Sequence, residues 1–320
     1  MNPLYRESFD RLELATRYPA RFTHPNKLAF LATVEGEPPP GTIEVARWAT
    51  DALPSRRGEH RPAVEARRGY FTYHEPDTES EMHWHLNFAN YDLFSAYAGS
   101  LLAQDEMQVL EHPDLARVRE ALLGEGRSTL VTDQGLPTPF TLIGVPRRGV
   151  IDTAPSPARP HGLYGNRFSA APVEQVLQAT TRIDPATISN LVAIEAPAYG
   201  SGEYRREEIT GILRTALTGF GAASVETHRI APQAATVIHT GWWGCGAYGG
   251  NQELMALLQL LAAEWAEAKV LYFYLGEPAD AAYLAGAQDV LDSLPIGMLT
   301  DAHVAAIADR RYLWGVSDGN

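Results

Sequence analysis

The succession that most constrains this chain lies between Ala234 and Trp265. The apolar run Ala234-Ala235-Thr236-Val237-Ile238 reads as a buried strand, and Leu254, Leu257, Leu258, Leu261 and Trp265 recur at helical spacing. Between them stands Thr240-Gly241-Trp242-Trp243-Gly244-Cys245-Gly246-Ala247-Tyr248-Gly249-Gly250-Asn251. A glycine-punctuated loop from strand to helix lets bare backbone approach a ligand, and the helix start adds unpaired N–H groups. That combination favours a phosphate or diphosphate. An ordinary tight turn of small residues is the other reading. Five glycines and an alanine, interleaved with three aromatics, exceed what a turn needs.

Other segments agree with an α/β organisation. Met82 to Ala89, Leu191 to Ile194, Phe140 to Ile143 and the unbroken Val270-Leu271-Tyr272-Phe273-Tyr274-Leu275 read as strands, the last covered on both faces. Tyr70 to Tyr73 and Leu130-Val131 are shorter strand candidates, and an acidic turn follows at Glu75 to Glu79. Helices are expected over Gln104 to Leu110 (stopped by Pro113), Arg205 to Phe220 (ended by Gly221), Ala279 to Leu291 and Asp301 to Arg310. Ala154 to Pro172, rich in proline, glycine and arginine, reads as a long loop. Before Gly69, Leu4 to Tyr18 and Ile43 to Trp48 suggest helices, and Arg56 to Arg68 a solvated basic connection. The expected organisation is thus a mainly helical N-terminal accessory region over residues 1–69. A three-layer α/β/α domain with a mixed central sheet follows over 70–320.

The balance of charge and cysteine narrows the function classes. A formal net charge of -13 over 320 residues argues against a broad nucleic-acid footprint, and no direct sequence-specific nucleic-acid binding is expected. It leaves room for a small anion held by backbone donors. With 1 cysteine no internal disulfide can form, which suits a reducing compartment; without a signal-like or bilayer-length apolar run, the expectation is a cytoplasmic protein with no membrane partner. His83 and His85 share one strand face, but no third ligand follows at suggestive spacing, so no metal and no cofactor are expected.

The loop resembles that of the poly(ADP-ribose) glycohydrolases, a family of macrodomain fold. Their Thr-Gly-Asn-Trp-Gly-Cys-Gly-Ala-Phe-Gly-Gly is followed here from Thr240 to Gly250, with Trp242 for Asn and Tyr248 for Phe. The family's strand-end Phe-Ala-Asn is present as Phe88-Ala89-Asn90, and its Gln-Glu-Glu as Gln104-Asp105-Glu106. Its triple glycine falls on Phe94-Ser95-Ala96, where side chains would crowd a ligand. The aromatics of its adenine segment are missing over Pro146 to Ile151, and Leu275 replaces a further aromatic.

The resemblance implies a glycosidase whose substrate is ADP-ribose on a polymer or a mono-ADP-ribosylated macromolecule. Cleaving a ribosyl bond passes through an oxocarbenium-like state and leaves an oxygen needing a proton, which a carboxylic acid of raised pKa can supply. By resemblance Glu106 is that general acid/base, and Asp105, one methylene shorter than the family's glutamate, holds a ribose hydroxyl. The resemblance likewise implies a binding set of Asn90, Gln104, Thr240, Gly241, Gly244, Cys245, Gly246, Ala247, Tyr248 and Gly249, with Asn90 at the distal ribose and Tyr248 near the scissile one. From residue type alone, Asp105 and Glu106 are carboxylates of a helix surface or of a helix's N-terminal turn, and Cys245 is a small loop residue. The alternative reading is a macrodomain that holds ADP-ribose without cleaving it, favoured by Phe94-Ser95-Ala96 and opposed by the retained Glu106.

Overall fold

The computed structural model describes residues 1–73, 80–197 and 199–319, so the acidic turn at Glu75 to Glu79 lies outside the described residues. In chain order the elements are β1 (Pro3–Asp10), α1 (Arg11–Arg17), α2 (Pro25–Val34), β2 (Thr42–Trp48), β3 (Ala63–Arg68), β4 (Glu81–Ala89), α3 (Gln104–Glu111) and α4 (Asp114–Gly124). There follow the two-residue strands β5 (Thr132–Asp133) and β6 (Leu136–Pro137), then β7 (Phe140–Ile151), α5 (Arg167–Ala170), α6 (Val173–Ala179) and β8 (Thr180–Glu195). The chain continues as α7 (Arg206–Ile230), β9 (Ala235–Gly241), α8 (Gln252–Trp265), β10 (Val270–Leu275), α9 (Ala281–Ser293) and α10 (Thr300–Ala308).

Eight strands form one mixed sheet in the order β1-β2-β7-β8-β4-β9-β10-β3. From β8 to β3 every neighbouring pair is parallel, whereas β1, β2, β7 and β8 pair antiparallel. The alternation of β4 explains the layering. Met82, Trp84 and Leu86 enter the core beneath α7 and α8, while His83, His85 and Asn87 face the opposite side and α3. On one face Leu254, Leu257, Leu258 and Leu261 of α8 are fully buried, each contributing roughly 1.5–3 kcal/mol. On the other, Leu115, Val118 and Leu122 of α4 pack with Phe140 and Leu142 of β7. Two helical layers thus enclose the sheet, a three-layer α/β/α sandwich.

The first 69 residues are not a mainly helical accessory region. They supply β1, β2 and β3, including both edges of the sheet, so a boundary after residue 69 would divide one sheet. Ile43, Val45, Ala46 and Trp48, spaced like a short helix, instead form β2; its inward residues pack between β1 and β7. A seven-residue apolar segment suits either period, and strand pairing decided it. The basic stretch Arg56 to Arg68 is only partly solvated: Arg57 is buried against Glu264 through two hydrogen bonds of 2.9 Å, and β3 lies beside β10. Tyr70 to Tyr73 forms no strand of the sheet, and Leu130 makes a single bridge to Asp92. Helix α7 runs through Gly221 to Ile230, because Gly221 keeps helical backbone and nothing there breaks the apolar stripe. No helix among the described residues is long and apolar enough to cross a membrane.

Candidate active site

In a parallel sheet the strand carboxyl ends open onto a crevice, and this protein has a large one there. A cleft of about 910 Å³ is lined by the ends of β4 (Phe88, Ala89, Asn90), β8 (Ala196), β9 (Gly241) and β10 (Tyr274, Gly276). One wall comes from α3 and the other from the glycine loop after β9.

Helix α3 is not a surface helix. All eight of its residues are buried, because it lies in the layer between β4, α2 and α4. Gln104 fixes its start: the side-chain oxygen accepts Phe88 N–H at 2.8 Å and the side-chain nitrogen donates to Leu86 O at 2.9 Å, so the amide extends the edge of β4. Glu106 accepts Ala103 N–H at 3.0 Å, satisfying one of the orphan donors of the first turn. Asp105 accepts from the Asn87 side-chain nitrogen at 3.0 Å. Burial, and next the charge of Glu106, push the Asp105 carboxyl up to about 7; burial likewise raises Glu106 above the usual carboxylate range. Both carboxyls are thus shifted towards the protonated form, a condition general acid catalysis needs.

The glycine loop is built to leave donors unspent. Its internal bonds run from Trp243 N–H to Gly241 O (2.7 Å), Cys245 N–H to Trp242 O (3.0 Å), Gly249 N–H to Gly246 O (3.0 Å) and Gly250 N–H to Gly244 O (2.9 Å). Among the described residues the N–H groups of Gly244, Gly246, Ala247 and Tyr248 donate to no backbone carbonyl, and all four residues line the cleft. Such a run of free amides is an anion nest. Gly244 is required there: its φ is +75°, and a Cβ would stand 2.5 Å from that of Ala196.

Of the residues singled out from sequence, Asn90, Gln104, Asp105, Glu106, Gly241, Gly244, Gly246, Ala247 and Tyr248 line this one cleft. Thr240, Cys245 and Gly249 do not. Thr240 is fully buried with its hydroxyl donating to Gln259, where it fixes the end of β9 against α8. The Cys245 sulfur lies towards the Trp243 carbonyl at 3.6 Å, and burial pushes its thiol far up, which keeps it neutral and un-nucleophilic. Gly249 is covered by Gly315, whose N–H donates to its carbonyl at 2.8 Å. Of the tryptophan pair Trp243 is buried in the core, while Trp242 is partly buried and lines the cleft, its indole donating to Asp280 at 3.0 Å. Among the described residues no group of three His, Cys, Asp or Glu is placed to hold a metal; His83 Nδ1 instead faces His239 Nε2 at 2.8 Å.

The Phe94-Ser95-Ala96 turn does not fill the cleft as its side chains led one to expect. Phe94 has φ +56°, the left-handed backbone a glycine would favour, and that conformation sends its ring wholly into the core beside Leu93, Tyr97 and Val131. Ser95 points to solvent, and only Ala96 lines the cleft.

Several lining residues carried no recognisable sequence signal. Tyr70 stacks on Tyr164 at 5.8 Å between ring centroids, and Tyr73 lies under the Arg147 guanidinium at 4.2 Å. These rings supply the aromatic wall that the Pro146 to Ile151 segment lacks. Tyr199 meets Tyr248 edge-on at 5.5 Å. Lys27, from the region before residue 69, is fully buried with its ammonium donating to Tyr97 O at 2.8 Å; burial lowers it to about 8, opposed by the charges of Glu106 and Asp105.

Residues 161–281 match the family model for poly(ADP-ribose) glycohydrolase, macro domain fold. Over 45 residues the chain is 44% identical to poly(ADP-ribose) glycohydrolase 1 of Caenorhabditis elegans; the match spans 14% of this chain and 6% of that protein. Similar solved structures include the Thermomonospora curvata poly(ADP-ribose) glycohydrolase bound to the inhibitor ADP-HPD. It is 15% identical, with 78% of this chain and 79% of that chain covered, at a TM-score of 0.41. The Deinococcus radiodurans enzyme in complex with ADP-ribose is 15% identical over 88% and 97% of the two chains, at 0.40.

Proposed function

We propose, for a chain whose residues 161–281 match the poly(ADP-ribose) glycohydrolase family model, hydrolysis of the ribose glycosidic bond in ADP-ribose conjugates, polymeric or mono-ADP-ribosylated, with release of ADP-ribose. The observation that carries the reading is that free loop amides and two adjacent buried carboxyls, both raised by burial, face one cleft. The amides at Gly244, Gly246, Ala247 and Tyr248 receive the diphosphate. Tyr248, partly buried beside the acids, packs at the scissile ribose, with Asn90 at the distal one. Asp105 accepts a ribose hydroxyl. Glu106 in its acid form gives its proton to the leaving oxygen as the bond to the anomeric carbon breaks. The resulting carboxylate then takes a proton from water while the hydroxide adds to the oxocarbenium carbon, which returns Glu106 to its acid form.

The burial of the Phe94 ring supports cleavage over mere binding, because it leaves the wall opposite the loop open. The test is incubation with labelled poly(ADP-ribose) and with mono-ADP-ribosylated protein, reading released ADP-ribose. Release from either supports the proposal and reports which conjugate is used. Tight ADP-ribose binding by calorimetry with release from neither would make the protein a reader, and failure to bind ADP-ribose at all would remove both readings.

A further inference from the structure

The anion nest is not left to solvent. After α10 the chain returns across the glycine loop. Trp314 anchors this return: its ring stacks on Tyr204 at 4.1 Å, and its N–H donates to Gly202 O at 2.9 Å. Gly315 N–H then donates to Gly249 O at 2.8 Å, and Asp318 N–H to Gly246 O at 3.4 Å. The Asp318 carboxylate lies so close to Gly246 that a Cβ there would be 3.0 Å from its Oδ2. Beyond it, Gly319 O accepts from the Asn166 side chain at 2.8 Å, on the far side of the cleft near Tyr164. The segment therefore spans from one wall to the other, with an anionic oxygen pair beside the nest.

We propose that residues 315–319 form an autoinhibitory strap, in which the Asp318 carboxylate stands in for the ligand's diphosphate and must leave before that ligand binds. The proposal rests on the loop being a diphosphate seat, as in the proposed function. Three features suit displacement. Every residue from Gly315 to Gly319 is exposed, so lifting the strap uncovers little apolar surface. Its firm anchor ends at Trp314, and a glycine follows. A carboxylate carries fewer charges and accepting oxygens than a diphosphate, so a ligand that takes the loop donors can displace it. Population of the strapped state lowers apparent affinity by the fraction of molecules that are open.

The test compares wild type with Asp318→Ala and Asp318→Glu by calorimetry, using ADP-ribose and inorganic pyrophosphate as separate probes, with melting temperatures to confirm the fold. Asp318→Ala is expected to bind both about tenfold more tightly, about 1.4 kcal/mol, and Asp318→Glu to stay near wild type. Equal or weaker binding of both probes by Asp318→Ala would overturn the strap while leaving ADP-ribose binding intact. A gain for pyrophosphate, with ADP-ribose bound by neither protein, would support the strap and refute the proposed substrate.

Discussion

The side-chain nitrogen of Asn87 donates to Asp105 at 3.0 Å and to the Gln108 side-chain oxygen at 2.9 Å, tying the end of β4 to the first two turns of α3. This bond opposes the burial that raises Asp105. Asn87→Ala should therefore move the Asp105 titration further up and cost about 1–3 kcal/mol of stability, because Gln108 and Asp105 lose a buried donor. Carbon-13 NMR of the labelled carboxyls and urea unfolding measure the two effects. An unmoved Asp105 titration would show that the bond is not what holds it.

Glu106 and Asp105 differ in what they should lose on substitution. Glu106→Gln keeps the shape and can still accept Ala103 N–H, but cannot carry a transferable proton. Turnover should fall by about 10²–10⁴ with ADP-ribose affinity retained. Asp105→Asn should act mainly on substrate positioning, and so raise KM more than it lowers kcat. Unchanged turnover of Glu106→Gln would remove it from the mechanism.

Stability should carry the signature of the buried acid. Asp105 titrates at about 7 in the fold against an ordinary 3.8, so the folded state binds its proton more tightly than the unfolded chain does. Its favourable contribution is complete below about pH 4 and is lost as pH rises through about 7. Lys27, lowered from 10.5 to about 8, has the opposite sense: its contribution is complete above about pH 10.5 and lost as pH falls through about 8. Glu106, Glu111 and Glu195 are also raised, so Asp105→Asn should flatten the decline between pH 4 and 7 without abolishing it. Denaturant midpoints of both proteins across that range test this; parallel curves would contradict it.

The interior of this fold was legible where one physical signal acted alone. The period of α8, the apolar run of β10 and the glycines after β9 each specify their element without help from the rest of the chain. Residues 1–69 were not, because β2 is short and β3, with Arg67 and Arg68 exposed, has an edge strand's polar pattern rather than a buried one. The loop and acid positions follow from the resemblance, yet Tyr70, Tyr164 and Asp318 reach the cleft only through tertiary return of distant segments. Gly249 and Thr240, inside the loop motif, support it without facing the cleft.

Phe94 offers a last, discriminating test, since its ring and its backbone pull stability in opposite directions. The ring is fully buried in the core, so its loss should cost about 3–5 kcal/mol. The backbone at φ +56° carries about 1–2 kcal/mol of strain that only a glycine relieves. Alanine loses the ring and keeps the strain, whereas glycine loses both. Phe94→Gly should therefore be more stable than Phe94→Ala by about 1 kcal/mol, the reverse of the usual order at an ordinary site, where glycine is the costlier residue. Neither should bind ADP-ribose more tightly than wild type, because the ring they remove does not line the cleft. Urea unfolding of the two variants and calorimetry with ADP-ribose check both statements; alanine more stable than glycine, or a gain in affinity for Phe94→Gly, would mean that the turn is arranged otherwise.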